Sequence, residues 1–183
     1  MKIQKLSLEE AREAFCYDPE SGILSWKSTR THNARAGDQC GSVSHKDGYR
    51  VVSFKGTTYP VYHIAWLLMT GEHPTNTIDH INRNPSDNRF SNLRLADMVQ
   101  QLGNRGALKK NKLGVRGVRK LKTGYDVRLG YKDKVANKYR RLCLGTFRSL
   151  EEAKAVYDAA AKEYFGEFYT AEPLSKTSAL EEQ

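Results

Sequence analysis

Residues 77–104 read TIDHINRNPSDNRFSNLRLADMVQQLGN, and the order of residue types in this stretch decides the fold. Ile78 and Ile81 flank Asp79-His80 in the manner of a short strand end. Asn82, Asn84, Pro85, Asp87 and Asn88 fill a loop with turn formers. Leu93 and Leu95 alternate around Arg94, which reads as a second short strand. Asp97 is placed to cap a helix carrying Met98, Gln101, Leu102 and Arg105. The order is strand, loop, strand, helix.

That order has a chemical use. Successive side chains leave a strand on opposite sides. Asp79 can therefore face a cation held against the following helix while His80 points toward a substrate. An imidazole has the unperturbed pKa best suited to moving protons near neutrality. A carboxylate joined by a helix amide oxygen supplies hard ligands for a magnesium-like ion. Such an ion polarises a phosphodiester while the imidazole activates water.

Asp79-His80, Asn88-Arg89, Ser91-Asn92-Leu93-Arg94 and Asn104 together resemble the HNH nucleases, especially the phage homing-endonuclease branch. The resemblance implies a ββα-metal finger and cleavage of DNA phosphodiester bonds. It implies His80 as general base, Asp79 as metal ligand and Asn92 as the residue that braces the loop. One divalent ion is the implied cofactor, Mg2+ foremost, with Mn2+ as the alternative. The helix departs from the family pattern. Members usually carry an asparagine where this chain has Gln101, and another where it has Asn104. These two share a helix face, so either can offer its amide oxygen to the metal as the second protein ligand. Arg83, Arg89 and Arg105 are candidates for clamping phosphates, and Asn82, Asn84 and Asn88 are expected to shape the turn.

Formal net charge is +9 and the sequence pI about 9.5. Such a balance favours a polyanionic partner, and the resemblance implies that it is double-stranded DNA, with no small-molecule substrate. The longest apolar run, Ile64 to Met69, is too short to span a bilayer, and no cationic amphipathic helix suggests a membrane surface. The N-terminus lacks a signal-peptide core. Cys16, Cys40 and Cys143 show neither metal nor disulfide spacing. A reduced, cytoplasmic setting in a bacterial or phage-infected cell is expected.

Ahead of the finger, residues 4–15 read as a helix with Ser7 and Glu10 as its capping box. A turn over Tyr17–Gly22 leads to the strand Ile23–Trp26, and Lys27–Gln39 reads as a surface loop. Tyr49–Phe54 and Thr58–Val61 form a hairpin. Tyr62–Thr70 then makes a buried helix ended by Gly71. The finger has few apolar residues, so this hairpin and helix are expected to complete its core. His63, at the start of that helix, is read as structural. His32, His45 and His73 carry no assignment.

Beyond the finger the charge changes. Arg105 to Arg141 holds fourteen Lys/Arg against two Asp. Residues 106–112 read as a basic linker whose lysines can follow a phosphate backbone. Val115–Leu121, Tyr125–Tyr131 and Lys138–Leu144 read as three antiparallel strands. Ser149 caps a helix over 150–165, whose stripe Ala153, Val156, Tyr157, Ala160 and Tyr164 should face the sheet.

Arg116-Gly117-Val118-Arg119, Leu144-Gly145-Thr146-Phe147, Glu151-Glu152-Ala153 and Ala155-Val156-Tyr157-Asp158-Ala159-Ala160 resemble, in order, the plant ethylene-response-factor (Apetala-type) DNA-binding domain. The resemblance implies a sheet laid in the major groove, with Arg116, Arg119, Arg128 and Arg141 as DNA contacts, and Lys120 joins them as a basic neighbour on the first strand. The family's sheet tryptophans are absent, and Tyr125 and Cys143 stand in their place.

The expected whole is α+β. An N-terminal hairpin and helix with a ββα-metal HNH finger occupies residues 1–105 (finger 77–105). A linker spans 106–112, a three-stranded antiparallel sheet on one helix spans 113–171, and a tail spans 172–183. The expected function is a metal-dependent homing-type DNA endonuclease that nicks duplex DNA. The alternative is a DNA-binding regulator with an inactive finger.

Overall fold

Ser7 accepts from the Glu10 amide while the Glu10 carboxylate accepts from the Ser7 amide, and this reciprocal box starts α1, Leu8–Ala14. The computed structural model describes residues 6–108, 111–133 and 135–172. Lys109 and Lys110 of the expected linker, and residues 173–183 of the expected tail, lie outside the described residues. The chain divides into two compact units, Met1–Asp97 and Met98–Gln183. No helix among the described residues is long and apolar enough to cross a membrane.

In the first unit α1 ends one residue earlier than its apolar pattern suggests. Phe15 turns extended and opens β1 (Phe15–Asp18), which pairs antiparallel with β2 (Ile23–Trp26). The aromatic side chain decides this: Phe15 stacks on Trp26 at 5.0 Å and tilts against Phe54 at 5.3 Å. A two-residue strand, β3 (Ser42–Val43), joins β4 (Arg50–Phe54) and β5 (Thr57–Pro60) in a second small sheet. Helix α2, Val61–Thr70, follows at once and is closed by the Gly71 amide donating to the Leu67 carbonyl at 2.9 Å. Leu6, Ala11, Phe15, Leu24, Val52, Phe54, Val61 and Ile64 bury together as the core.

The third sheet is the finger, β6 (Thr77–His80) against β7 (Leu93–Ala96). Its two fully buried large apolar residues, Ile78 and Leu93, pack against Ala65 of α2 with Tyr17, Tyr62, Trp66 and Leu95 around them. The preceding helix thus completes the finger's core.

The second unit begins with α3, Met98–Asn104, which packs against the last helix and the turn that follows it. The strands β8 (Val118–Leu121), β9 (Gly124–Asp133) and β10 (Lys138–Phe147) form an antiparallel sheet in the order β10-β9-β8. Helix α4, Leu150–Phe165, is capped by the Ser149 hydroxyl accepting from the Glu152 amide. Its buried stripe is Leu150, Ala153, Tyr157, Ala161 and Phe165, turned slightly from the expected one toward Ala161 and Phe165. The turn serves α3: a Cβ on Gly103 would lie 2.8 Å from that of Phe165. Gly117, at φ +73°, is required where it stands, because a Cβ there would fall 2.1 Å from the Tyr157 ring. Val118, Tyr125, Val127 and Leu129 face α4, which leaves the alternate residues on the other side of the sheet.

Candidate active site and nucleic-acid interface

The finger's register sets the site. Asp79 lies opposite Arg94 and His80 opposite Leu93. The cross-strand neighbour claims the acid: Arg94 approaches Asp79 Oδ2 with Nε at 3.0 Å and with its terminal nitrogen at 2.9 Å, both side chains being largely buried. His80, one residue on, goes to the opposite face and is enclosed by Tyr62, edge-on at 5.2 Å, and Tyr49 at 5.6 Å. The sequence reading turns this ring outward, but the residue is only 5% exposed. The tyrosines of β4's approach and of α2 account for the difference.

His80 Nε2 lies 3.1 Å from Oδ1 of the buried Asn88. An amide oxygen only accepts, so Nε2 carries the hydrogen and the neutral ring's lone pair sits on Nδ1. Burial pushes the His80 pKa below its ordinary 6.5, against the opposing pull of the Asn88 bond and the Asp79 and Asp87 charges. The imidazole is therefore neutral at pH 7, the protonation state a general base needs.

The loop between the strands is tied at several points. Asn92 Oδ1 accepts from the Asn82 amide at 2.9 Å, and Asn92 Nδ2 donates to Asn82 Oδ1 at 3.0 Å and to the Asp87 carbonyl at 2.8 Å. Arg89 donates through Nε at 2.9 Å and Nη2 at 2.6 Å to the two oxygens of Asp87. That fork, with the loop amides, holds the Asp87 carboxyl down at about 2. Arg89 is thus engaged within the loop, and Arg83 sits half-buried at φ +62°.

The N-terminal hairpin braces the loop from outside. Tyr17 donates its hydroxyl to the Asn88 carbonyl at 2.6 Å, and the Phe90 amide donates to the Pro19 carbonyl at 3.0 Å. Gly22 sits so close that a Cβ would meet the Arg89 nitrogen at 2.4 Å. Tyr49, Tyr62 and Asn88 surround the imidazole, with Tyr17 bonded to Asn88 behind them, and the sequence reading assigned the site to none of them. Asn88 was visible as a turn former and as part of the family motif but not as a partner of the ring, and the tyrosines arrive from distant parts of the chain.

Comparison with known proteins adds to this geometry. Residues 59–101 match the HNH endonuclease family. The match takes in α2, both finger strands and α3 as far as Gln101, which is less than half of the chain. No curated protein and no solved structure matches the chain. An HNH match implies a nuclease acting on DNA phosphodiester bonds.

The HNH helix belongs to the second unit. Asn104 is buried there, with Oδ1 accepting from the Thr170 hydroxyl at 3.0 Å, while Gln101 is half-buried. A hard divalent ion wants about six oxygen donors, most of them carboxylate, carbonyl or water. Of the expected donors one is a carboxylate, Asp79, already bridged to a guanidinium. Among the described residues no cluster of three His, Cys, Asp or Glu side chains is placed to hold a metal. These donors do not make up a ligand set by themselves.

In the second unit the expected DNA contacts separate into two groups. Arg116 is turned inward: its Nη1 donates to the carbonyls of Gly103 at 3.1 Å and Arg105 at 2.9 Å, and its guanidinium lies 5.5 Å from the Phe165 ring centre. It caps the C-terminal end of α3, where a cation is favoured. Arg105 itself is exposed. Arg119, Arg128 and Arg141 are exposed on the sheet face away from α4, and Lys120 is exposed at the end of β8. Asp126 shares that face. Its Oδ2 receives Arg128 Nε at 2.9 Å and Arg119 Nη2 at 3.2 Å.

Proposed function

We propose that the chain is a DNA endonuclease of the free-standing homing type that nicks duplex DNA, with His80 as general base and the second unit gripping the flanking duplex. One observation carries the reading: a histidine held neutral, with its lone pair directed to Nδ1, stands within the stretch that matches the HNH endonuclease family. In the proposed step water attacks the scissile phosphorus, the P–O3′ bond breaks, and the attacking water's proton passes to His80 Nδ1. Asn92 keeps the loop that carries Asn88 in register with the ring. Asp79 and a helix amide, Gln101 or Asn104, are the proposed metal ligands. The bond from Thr170 to Asn104 favours Gln101 of the two. The reading includes a requirement for one divalent ion, Mg2+ or in its place Mn2+. Arg83, Arg89 and Arg105 are proposed at phosphates near the cut, and Arg119, Lys120, Arg128 and Arg141 on the flanking duplex.

A second reading, a DNA-binding regulator with a silent finger, is favoured by the burial of His80 and the Arg94 bridge on Asp79. Incubating supercoiled plasmid with the purified chain separates the two. Open circles formed with Mg2+ or Mn2+ and suppressed by EDTA support the nuclease. A gel shift without strand cutting in any divalent ion supports the regulator.

A further inference from the structure

The outer face of the β8–β10 sheet holds one feature that attraction to phosphate does not explain. A surface evolved only to hold a polyanion gains nothing from a carboxylate at its centre, yet Asp126 stands there. A shallow depression of about 240 Å³ has Gly117 and Gly130 among its lining, with Arg119, Arg128 and Arg141 around it and Asp126 beneath. The Asp126 side chain is 9% exposed, while those of Arg119 and Arg128 are 66% and 47% exposed.

The sheet register produces this arrangement. Asp126 lies directly across from Arg119 on β8, and Arg128 follows it by two residues on the same face of β9. Arg141 comes from β10, opposite Gly130, and that glycine leaves the space beside it open. Both bonded guanidinium groups meet the same oxygen, Oδ2, so the position of one is tied to that of the other. Arg128 is held through Nε, which leaves the end-on edge between its two terminal nitrogens for another partner. Arg119 is held through one terminal nitrogen only. A guanidinium fixed in this way, with a free-facing pair of N–H groups, has the form that reads guanine O6 and N7 in the major groove. An untethered arginine on an exposed strand samples many rotamers and attracts phosphate without choosing a base.

The geometry points to Asp126 as a positioning residue for sequence readout: it holds Arg119 and Arg128 as a preset pair that selects guanine-containing steps in duplex DNA. This deepens the proposal that the second unit grips duplex DNA and rests on it. Asp126 also lowers general attraction to DNA, because its charge opposes the phosphates. Selectivity and bulk affinity therefore respond to its removal with opposite signs.

The test uses the full-length chain in EDTA, so that cutting does not intervene. A pool of random-sequence duplex DNA is enriched on the native chain, and affinities for the enriched duplex and a scrambled duplex of equal length are compared at fixed salt. For Asp126→Asn, close in shape and without charge, the ratio of the two affinities should fall by about tenfold. Affinity for the scrambled duplex should hold or rise. Arg128→Lys, which keeps the charge and removes the fork, should show a similar loss of ratio. An unchanged ratio in Asp126→Asn overturns the inference. So does an equal fall in both affinities, the mark of a merely structural ion pair, and so does a native chain that binds duplex DNA but enriches no sequence. A native chain that binds no duplex at all removes the grip proposal and the inference with it.

Discussion

Removing the Asn92 side chain tests the finger's construction most closely. Asn92→Ala deletes three hydrogen bonds, two to Asn82 and one to the Asp87 carbonyl, all between 2.8 and 3.0 Å. At about 0.5–1.5 kcal/mol net for each bond, the loss ranges from roughly 1.5 to 4.5 kcal/mol. Asn82 is exposed, so water re-satisfies part of what is lost there, and roughly 2–3 kcal/mol is the expected cost. Trp26 and Trp66 are the chain's two tryptophans, and both fall in the first unit. Trp66 lies 5.7 Å from Phe90, inside the affected loop. Tryptophan fluorescence in urea therefore follows this unit alone, and the midpoint should drop by about 1–2 M. Asn82→Ala should cost less. The double variant should cost less than the sum of the two by roughly 0.5–1.5 kcal/mol, because they share a bond. A midpoint for Asn92→Ala within about 0.3 M of native, or strict additivity with Asn82→Ala, would refute the brace.

Gly22→Ala should destabilise the same unit by several kcal/mol, about 3, because its φ of +72° and the 2.4 Å approach to the Arg89 nitrogen both oppose a Cβ; urea unfolding reads it, and a cost under about 1 kcal/mol speaks against the buttress. Arg116→Ala should loosen α3 rather than weaken DNA binding first: faster amide exchange over residues 98–104 is expected, from the loss of two carbonyl bonds and the Phe165 contact. Burial lowers the pKa of both His80 and His63, so the unfolded state takes up protons more readily. Their contribution to stability is complete above the ordinary 6.5 and is lost as pH falls from there toward the lowered folded values. The first unit's urea midpoint should accordingly decline between neutrality and mildly acid pH, and a flat profile would contradict the burial.

Much of this was legible in the chain, for reasons that can be named. The finger strands were readable because period-two alternation around Arg94 and a loop of Asn, Asp and Pro admit few other folds. Helix α4 was readable to the residue because Ser149 and an apolar period of 3.6 agree. β3 was not, since two residues show no period and exist as a strand only through pairing with β4. β1 was hidden because Phe15 fits the end of a helical stripe as well as a strand start, and only its stacking on Trp26 decides. The pair Asp79-His80 announces chemistry, but its surroundings do not. Tyr17 reaches Asn88 across 71 positions, and no local pattern encodes such a contact. Arg116 shows the same limit from the other side: its place in a motif does not encode its bonds to the carbonyls of Gly103 and Arg105.

The central claim concerns one imidazole, and the most direct measurement compares native chain with His80→Ala on the same duplex. Both are brought to equal DNA occupancy in a Mg2+ buffer, and the rate of strand scission is followed. The account predicts equal binding and scission lost by at least a hundredfold, of the order that a general base contributes. Equal scission rates, or no scission by the native chain at full occupancy, would contradict it.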